Sequence, residues 1–121
     1  MSPVVLRFEL EEESPDGAHV MSVRGEIHVS TAPEFSQRLT TAIEAGKTRL
    51  VLDLSGVEFI DSTGLSVLLN GLRRVNQLHG RLALVCANPT VLRLFQITKL
   101  DSTFDIFADR ESAIAHVAAD A

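Results

Sequence analysis

The segment 59–65, FIDSTGL, places three hydroxyl or carboxylate side chains and a glycine directly after an apolar pair. An Asp or a Ser in such a place can be the N-cap of a helix, because its side-chain oxygen accepts a hydrogen bond from an unpaired amide of the first turn. One cap is enough for one helix, and glycine disfavours helix formation. Capping therefore accounts for Asp61 or Ser62 and leaves the rest of the cluster to be explained by function.

Two features of this segment favour contact with another protein. The apolar pair Phe59 and Ile60 is expected to anchor the segment, so that the polar residues after it face outward. Gly64 removes a side chain where the backbone of another protein can approach. We therefore expect an exposed recognition surface at the start of a helix.

The hydroxyl of Ser62 is the group in this segment best placed for modification. A phosphate there would lie at the positive end of the helix dipole, near free amides, so the fold can accommodate it. The phosphate adds about -1.5 to -2 charges at pH 7. Bringing that charge unpaired into an apolar interface costs on the order of several kcal/mol, and about 1.4 kcal/mol is tenfold in affinity. One phosphate can therefore switch off the binding of a partner.

Enzyme chemistry is not indicated by the sequence. No nucleophile-elbow spacing surrounds Ser62, and adjacent residues at a helix start rarely point together, which argues against Asp61 as its base. The single cysteine, Cys86, lies in an apolar run and is expected to be buried and unreactive. The histidines, which are His19, His28, His79 and His116, show no paired metal-ligand spacing, so we predict no metal site. We also predict no catalytic residue and no cofactor.

An N-terminal β-hairpin is predicted upstream of this segment. Leu6, Phe8 and Leu10 alternate with charged residues, which is the period of a strand with one buried face. The Pro-Asp-Gly run at 15–17 is a turn signal, and a second apolar stretch follows at 20–23. Two such runs around a turn indicate a pair of antiparallel strands.

Further strands are predicted from nearly continuous apolar runs at 50–54 and 82–87, as expected of strands covered on both faces by helices. The run 104–107 is a weaker strand candidate. Residues 55–61 are interpreted as a loop that connects the first of these strands to a helix. Sites in such sheets gather where strands end and helices begin, and this loop is one of those places.

The first helix is predicted to start with a capping box. Thr31 is the expected N-cap, Pro33 lies in the first turn, and Glu34 follows at the position that can reach back. Gly46 is well placed to end the helix in the left-handed conformation.

Three more helices are predicted. An apolar stripe indicates a long helix from about 63 to 79, Asn88 is expected to cap a short helix, and Asp109 a final one through Ala118. Helices alternating with buried strands predict an α/β fold, with a mixed sheet of four to five strands and about four helices.

Composition and charge narrow the class of protein. With 121 residues, 45% hydrophobic and 22% charged, the chain has the size of one domain, 1–121. A net charge of -5 disfavours nucleic acids and anionic membranes as direct partners. We see no signal peptide and no transmembrane span, and a single cysteine suits a reducing compartment, so we expect a cytoplasmic protein.

Three stretches resemble a known family. The segment 59–65, the run 24–27 (RGEI) and the run 31–33 (TAP) resemble the bacterial anti-sigma factor antagonists with a STAS domain, and the order of elements fits along almost the whole chain. The resemblance implies that the unphosphorylated protein binds an anti-sigma factor, usually a serine kinase of the histidine-kinase-like ATPase class, and so frees a sigma factor. It also implies that this kinase phosphorylates Ser62, that a PP2C-type phosphatase reverses the reaction, and that the domain is a monomer. The residues it assigns to partner binding are Glu26, His28, Thr31, Asp61, Ser62, Thr63, Gly64 and Leu65.

One residue departs from the family pattern. Family members commonly carry an acidic residue, implicated in contacting an arginine of the kinase, where this chain has His28. A histidine there can be uncharged or can pair with a phosphate, because histidine titrates near neutral pH, or it can be a solvent-exposed loop residue. A second interpretation stays open: a STAS scaffold or transporter-associated subunit that is not phosphorylated and in which Ser62 only caps its helix.

Overall fold

The computed structural model describes residues 8–119 of the chain. In this range the elements follow in the order β1 (Glu9–Glu13), β2 (His19–Ile27), α1 (Ala32–Glu44), β3 (Arg49–Ile60), α2 (Ser62–Gln77), β4 (Arg81–Val85), α3 (Pro89–Ile97), a 3₁₀ turn (Leu100–Ser102), β5 (Asp105–Phe107) and α4 (Arg110–Ala118).

The strands form one sheet in their chain order, β1-β2-β3-β4-β5. β1 is antiparallel to β2, and each later pair of neighbours is parallel. This confirms the predicted α/β fold with a mixed sheet and an N-terminal hairpin. Of the residues that predict the first strand, Leu6 lies outside the described range, while Phe8 and Leu10 are half-buried against the core.

The two faces of the sheet are covered unequally. Three helices, α1 to α3, pack their apolar side chains on one face and form the main core. Gly71 of α2 lets α1 approach closely, because a Cβ there would lie 2.6 Å from Cδ2 of Leu39. On the other face α4 packs Ala113 and Val117 over a smaller apolar cluster. This division leaves part of the second face to polar side chains.

The predicted turns form for the expected reasons. In the hairpin, Asp16 and Gly17 both have positive φ, 49° and 82°, which is the backbone of the tight turns that suit the twist of two antiparallel strands. Gly46 has φ 90° and follows the end of α1. The amides of Gly46 and Lys47 bond back to the carbonyls of Ile43 and Ala42, which confirms the left-handed helix end.

The expected loop at 55–61 is wrong, because β3 continues through it as far as Ile60. Arg24 to Ile27 of β2 pair with Gly56 to Ile60 in parallel register, and Val57 and Ile60 are buried. A single sequence does not reveal which strand residues pair with one another, so the Ser-Gly pair at 55–56 looks like the end of the strand.

The long helix α2 also differs at both ends from the predicted range of 63 to 79. It begins one residue earlier, at Ser62, and ends at Gln77. The apolar stripe that predicts this helix ends with Leu78 and so predicts a buried side chain there, but Leu78 is 53% exposed, because the chain leaves the helix at that residue. The predicted caps of α3 and α4 are confirmed: the Asn88 side chain accepts from the amide of Thr90, and that of Asp109 from the amide of Ser112.

A charged network ties α4 to the sheet beside its apolar cluster. Asp53, only 8% exposed, accepts from Nε and Nη2 of Arg110 at 3.0 and 2.7 Å and from the amide of Ser55 at 3.0 Å. Arg110 also contacts Glu13 of β1 and donates to Ser22. Burial alone would raise the pKa of Asp53, but the hydrogen bonds from Ser55 and Arg110 outweigh it and lower that pKa.

Candidate partner-binding site

The ends of β2 and β3 lie side by side at one edge of the sheet. Ile27 pairs with Ile60 in the last register position, and the amide of Asp61 donates to the carbonyl of Ile27 at 3.1 Å. The β2–α1 loop and the start of α2 therefore leave the sheet as neighbours. The structure thus brings together the two stretches that the sequence places 30 residues apart, around Thr31 and Asp61.

Asp61, and not Ser62, is the N-cap of α2. Its Oδ1 accepts from the amide of Gly64 at 3.0 Å, and its carbonyl accepts from the amide of Leu65. Ser62 is the first helical residue and is exposed. Its hydroxyl has no hydrogen-bond partner within residues 8–119, while its carbonyl accepts from the hydroxyl of Ser66 at 3.0 Å. Of the two expected cap residues, Ser62 is therefore the one that remains available to another molecule.

The missing side chain of Gly64 allows close packing inside this protein, whereas the sequence predicts close approach by another protein. Gly64 is buried, and a Cβ there would lie 2.7 Å from both Cγ2 of Ile27 and Cγ1 of Ile60, and 3.0 Å from the carbonyl oxygen of Ile27. Leu65 is buried as well. Both residues seat α2 on the strand ends. The partner contact expected of them stays a prediction, and since they are buried it would depend on the surface that they support.

Thr31 organises the β2–α1 loop, and the predicted capping box is wrong. Thr31 occupies the N-cap position of α1, but its side chain does not bond to the helix amides. Its hydroxyl instead donates to the carbonyl of Glu26 at 2.8 Å and accepts from the amide of His28 at 3.0 Å. The hydroxyl thereby closes the loop on itself, a bond that competes with capping.

His28 is half-buried and held by its neighbours. Its Nδ1 accepts from the amide of Ser30 at 3.2 Å, so Nε2 carries the hydrogen in the neutral ring. Nε2 lies 3.4 Å from Oε1 of Glu26. The ring centroid lies 6.5 Å from that of Phe59. His28 thus connects the loop to the end of β3.

Sequence reasoning missed an apolar contribution to this site. Phe59, expected to anchor the segment, is 48% exposed, and Val29 is 68% exposed. The register shift between Gly25 and Glu26 adds a residue to β3 and places Ile60 inward, which leaves Phe59 outside. The shift has no clear sequence signal beyond Gly25, whose φ is 95°. We call the resulting patch the edge surface; it consists of His28, Val29, Phe59, Asp61, Ser62 and Thr63.

Other site chemistries find little support in the described part of the chain. No group of three or more His, Cys, Asp or Glu residues there has the geometry to hold a metal ion. None of the helices in that range is long and apolar enough to cross a membrane. Cys86 is a free thiol and is buried, as predicted, and burial raises its pKa, which disfavours the nucleophilic thiolate.

A model of the STAS domain family matches residues 9–113, and the chain belongs to this family. Its relatives are named as anti-sigma factor antagonists. A putative anti-sigma factor antagonist, BtrV of Bordetella bronchiseptica, is 30% identical over 108 residues, 89% of this chain and 93% of that protein.

Solved structures agree with this assignment. An anti-sigma factor antagonist from Mycobacterium paratuberculosis superposes with a TM-score of 0.85 at 32% identity, over 92% of this chain and 94% of that one. The Bacillus cell fate determinant SpoIIAA in its phosphorylated form superposes with a TM-score of 0.69 at 27% identity, over 92% and 99%.

Proposed function

We propose that this protein is a cytoplasmic, monomeric anti-sigma factor antagonist whose edge surface binds an anti-sigma factor and whose Ser62 carries a phosphate that ends this binding. The observation that carries the proposal is the exposed hydroxyl of Ser62, which has no hydrogen-bond partner within residues 8–119 and belongs to the same edge surface as the exposed side chains of Phe59 and Val29. A modifiable group next to an apolar patch is what a charge-controlled interface needs. The names of the relatives, and a SpoIIAA structure in the phosphorylated form, support the same function.

The local geometry supports a phosphate that leaves the fold intact. The first-turn amides of a helix have no intrahelical acceptors, and Asp61 caps only the amide of Gly64. The remaining amides and the helix dipole can stabilise a phosphate on Ser62. The added charge then lies on the edge surface, where a partner would have to desolvate it.

The proposed partner is an anti-sigma factor that is also a serine kinase of the histidine-kinase-like ATPase class, with a PP2C-type phosphatase acting in the opposite direction. The protein supplies no base for the Ser62 hydroxyl within the described residues, so the kinase must provide it. His28 is engaged by Glu26 and Ser30, and it presents one face of its ring beside Phe59. It therefore contributes to packing against the partner more than to ion pairing.

The first experiment tests the modification. The protein is incubated with ATP and the candidate kinase, and its intact mass is measured. We expect the addition of one phosphate, mapped to Ser62, and none in Ser62→Ala. Ser66→Ala is the matched control, because Ser66 is an exposed hydroxyl one turn further along α2 and its loss should leave phosphorylation unchanged. Absence of phosphate with every kinase of this class from the source would leave the scaffold or transporter-associated function.

The second experiment tests the effect on binding by calorimetry with the anti-sigma factor. Ser62→Ala should bind like the wild type, and Ser62→Asp should bind about tenfold more weakly or worse, which corresponds to about 1.4 kcal/mol. The phosphorylated protein should lose roughly 100-fold, since its charge is larger. Equal affinities of the Ala and Asp variants would contradict the switch.

A further inference from the structure

A chain of short hydrogen bonds runs across the hairpin, at the end of β2 opposite to the edge surface. The hydroxyl of Ser14 lies 2.8 Å from Nδ1 of His19, and Nε2 of His19 lies 2.7 Å from Oε1 of Glu12. Oε2 of Glu12 accepts from Nη2 of Arg38 at 2.7 Å. His19 is 8% exposed, while Ser14 is exposed. A serine, a buried imidazole and a carboxylate are therefore connected in series.

The chemistry of the partners decides where the protons lie. Burial alone would raise the pKa of Glu12, but the hydrogen bonds from Arg38 and His19 outweigh it and lower that pKa, so Glu12 is ionised near neutral pH. An ionised carboxylate only accepts hydrogen bonds, so Nε2 of His19 must donate. In the neutral form of the ring, Nδ1 then carries no hydrogen and accepts that of the Ser14 hydroxyl. This is the tautomer that a general base needs.

Space for a reactant lies next to the serine. A cavity of about 370 Å³ is lined by Ser14 and His19 and also by Lys47 and Thr48. Its volume is at the small end of the range for ligand pockets. Lys47 contributes a positive charge to the lining of this cavity, which suits a ligand with polar or negatively charged oxygens. These features are not needed if the hydrogen bonds only hold the hairpin together.

We propose that Ser14 is an activated nucleophile that accepts an acyl group from a small activated ester, with His19 as its general base and Glu12 as the carboxylate that orients the imidazole. Oγ of Ser14 forms a bond to the carbonyl carbon, and the bond from that carbon to the leaving oxygen breaks. The hydroxyl proton passes to Nδ1 of His19 and from there to the leaving group. Glu12 stabilises the imidazolium that forms in between.

The probe is p-nitrophenyl acetate, which is incubated with the full chain. The chain is then digested, and peptide mass mapping measures the acetylation of each serine over time. Ser102 is the internal control, because it is an exposed serine whose hydroxyl bonds only to the carbonyl of Lys99. General base catalysis contributes roughly 10²-fold to 10⁴-fold, so we expect Ser14 to be acetylated at least about 100-fold faster than Ser102. Acetylation of Ser14 at the rate of Ser102 would overturn the proposal.

Two variants separate activation from mere exposure. His19→Gln should bring the rate at Ser14 down to that of Ser102. Because His19 is buried and its replacement can weaken the hairpin, Glu12→Gln provides the second test: an amide can donate to Nε2 and so reverse the tautomer, and the same loss is expected. A rate unchanged in a folded variant, as judged by circular dichroism, would refute the role of the base. The proposed function at Ser62 does not depend on this result, since binding to the anti-sigma factor is measured separately.

Discussion

The two ends of β2 differ in what their polar side chains do. At the hairpin end, Glu12 is bonded to both His19 and Arg38. At the edge surface, about 26 Å away along nine residues of strand, the Ser62 hydroxyl has no partner within the described range, and Phe59 is turned to solvent. Bonded groups hold a fold together, whereas unbonded groups are available to a partner.

The contrast extends to the two serines. Ser14 has its own base at 2.8 Å, so its reactivity can be built into the chain. Within residues 8–119 no base is bonded to the hydroxyl of Ser62, so the proposed phosphorylation requires a kinase that supplies one. Under the proposed function, the kinase then sets the timing of the modification.

The largest effect on stability is expected from Gly64→Ala, which attacks the support of the edge surface. The new Cβ would overlap Ile27 and Ile60, whose β-branched side chains have little freedom to move. Because two stiff side chains are overlapped at once, overpacking should lie at the upper end of its usual range, about 3 kcal/mol, against a helix preference of Ala of about 1 kcal/mol, which leaves a net loss of stability of about 2 kcal/mol. Urea unfolding followed by circular dichroism measures it. Asn70→Ala, at an exposed position of the same helix, should change stability by less than about 0.5 kcal/mol.

Asp53→Asn is expected to lower the free energy of unfolding by about 1–2 kcal/mol at neutral pH. The reason is that Arg110 would then donate to a neutral amide oxygen and no longer to a carboxylate. The pKa of Asp53 is lowered in the folded state, so its contribution is present above the unfolded pKa of about 3.9 and is lost as the pH falls through the folded value. Between about pH 6 and about pH 3 the wild type should therefore lose more stability than Asp53→Asn. Asp101→Asn, an exposed control, should behave as the wild type; an equal acid loss in Asp53→Asn would contradict the assignment.

An effect of similar size, but confined to partner binding, is expected from Phe59→Ala. An exposed aromatic at the centre of an interface typically contributes about 1–2 kcal/mol, or roughly fivefold to thirtyfold in affinity for the anti-sigma factor. The free energy of unfolding of Phe59→Ala should differ from that of the wild type by less than about 0.5 kcal/mol. Leu78→Ala is the matched control, since Leu78 is similarly exposed at the far end of α2, about 24 Å away. Calorimetric binding that is equally weakened in both variants would place the interface elsewhere.

The smallest effect is expected from Ser14→Ala in the same binding assay. The residue lies at the other end of the sheet from the edge surface, so affinity for the anti-sigma factor should stay within about twofold of the wild type. A larger loss would mean that the two regions are not independent.

Much of the fold follows from local patterns. The alternating run through Phe8 and Leu10, the buried runs of β3 and β4, and the caps at Asn88 and Asp109 all depend on residues close in sequence. The C-terminal half of β3 could not be predicted, because it is a strand only through its pairing with β2.

The site was predictable only in part, for the same physical reason. The Asp-Ser-Thr-Gly run marks its position, but whether Gly64 faces a partner or Ile27 depends on how α2 sits on the strand ends. The exposure of Phe59 depends on a register shift in a neighbouring strand. The bonds from His19 to Ser14 and Glu12 cross between hairpin strands, and no spacing rule for histidines indicates them.

The tight seat of α2 on Ile27 and Ile60 has a consequence for the speed of the proposed signal. Because a Cβ at Gly64 would overlap Ile27 and Ile60, close packing opposes a shift of the helix when, in the proposed mechanism, its first turn acquires a phosphate. In the proposed mechanism, phosphorylation then changes the charge of the edge surface and not its conformation. Removal of the phosphoryl group restores a competent surface at once, with no slow rearrangement of the chain before the next encounter.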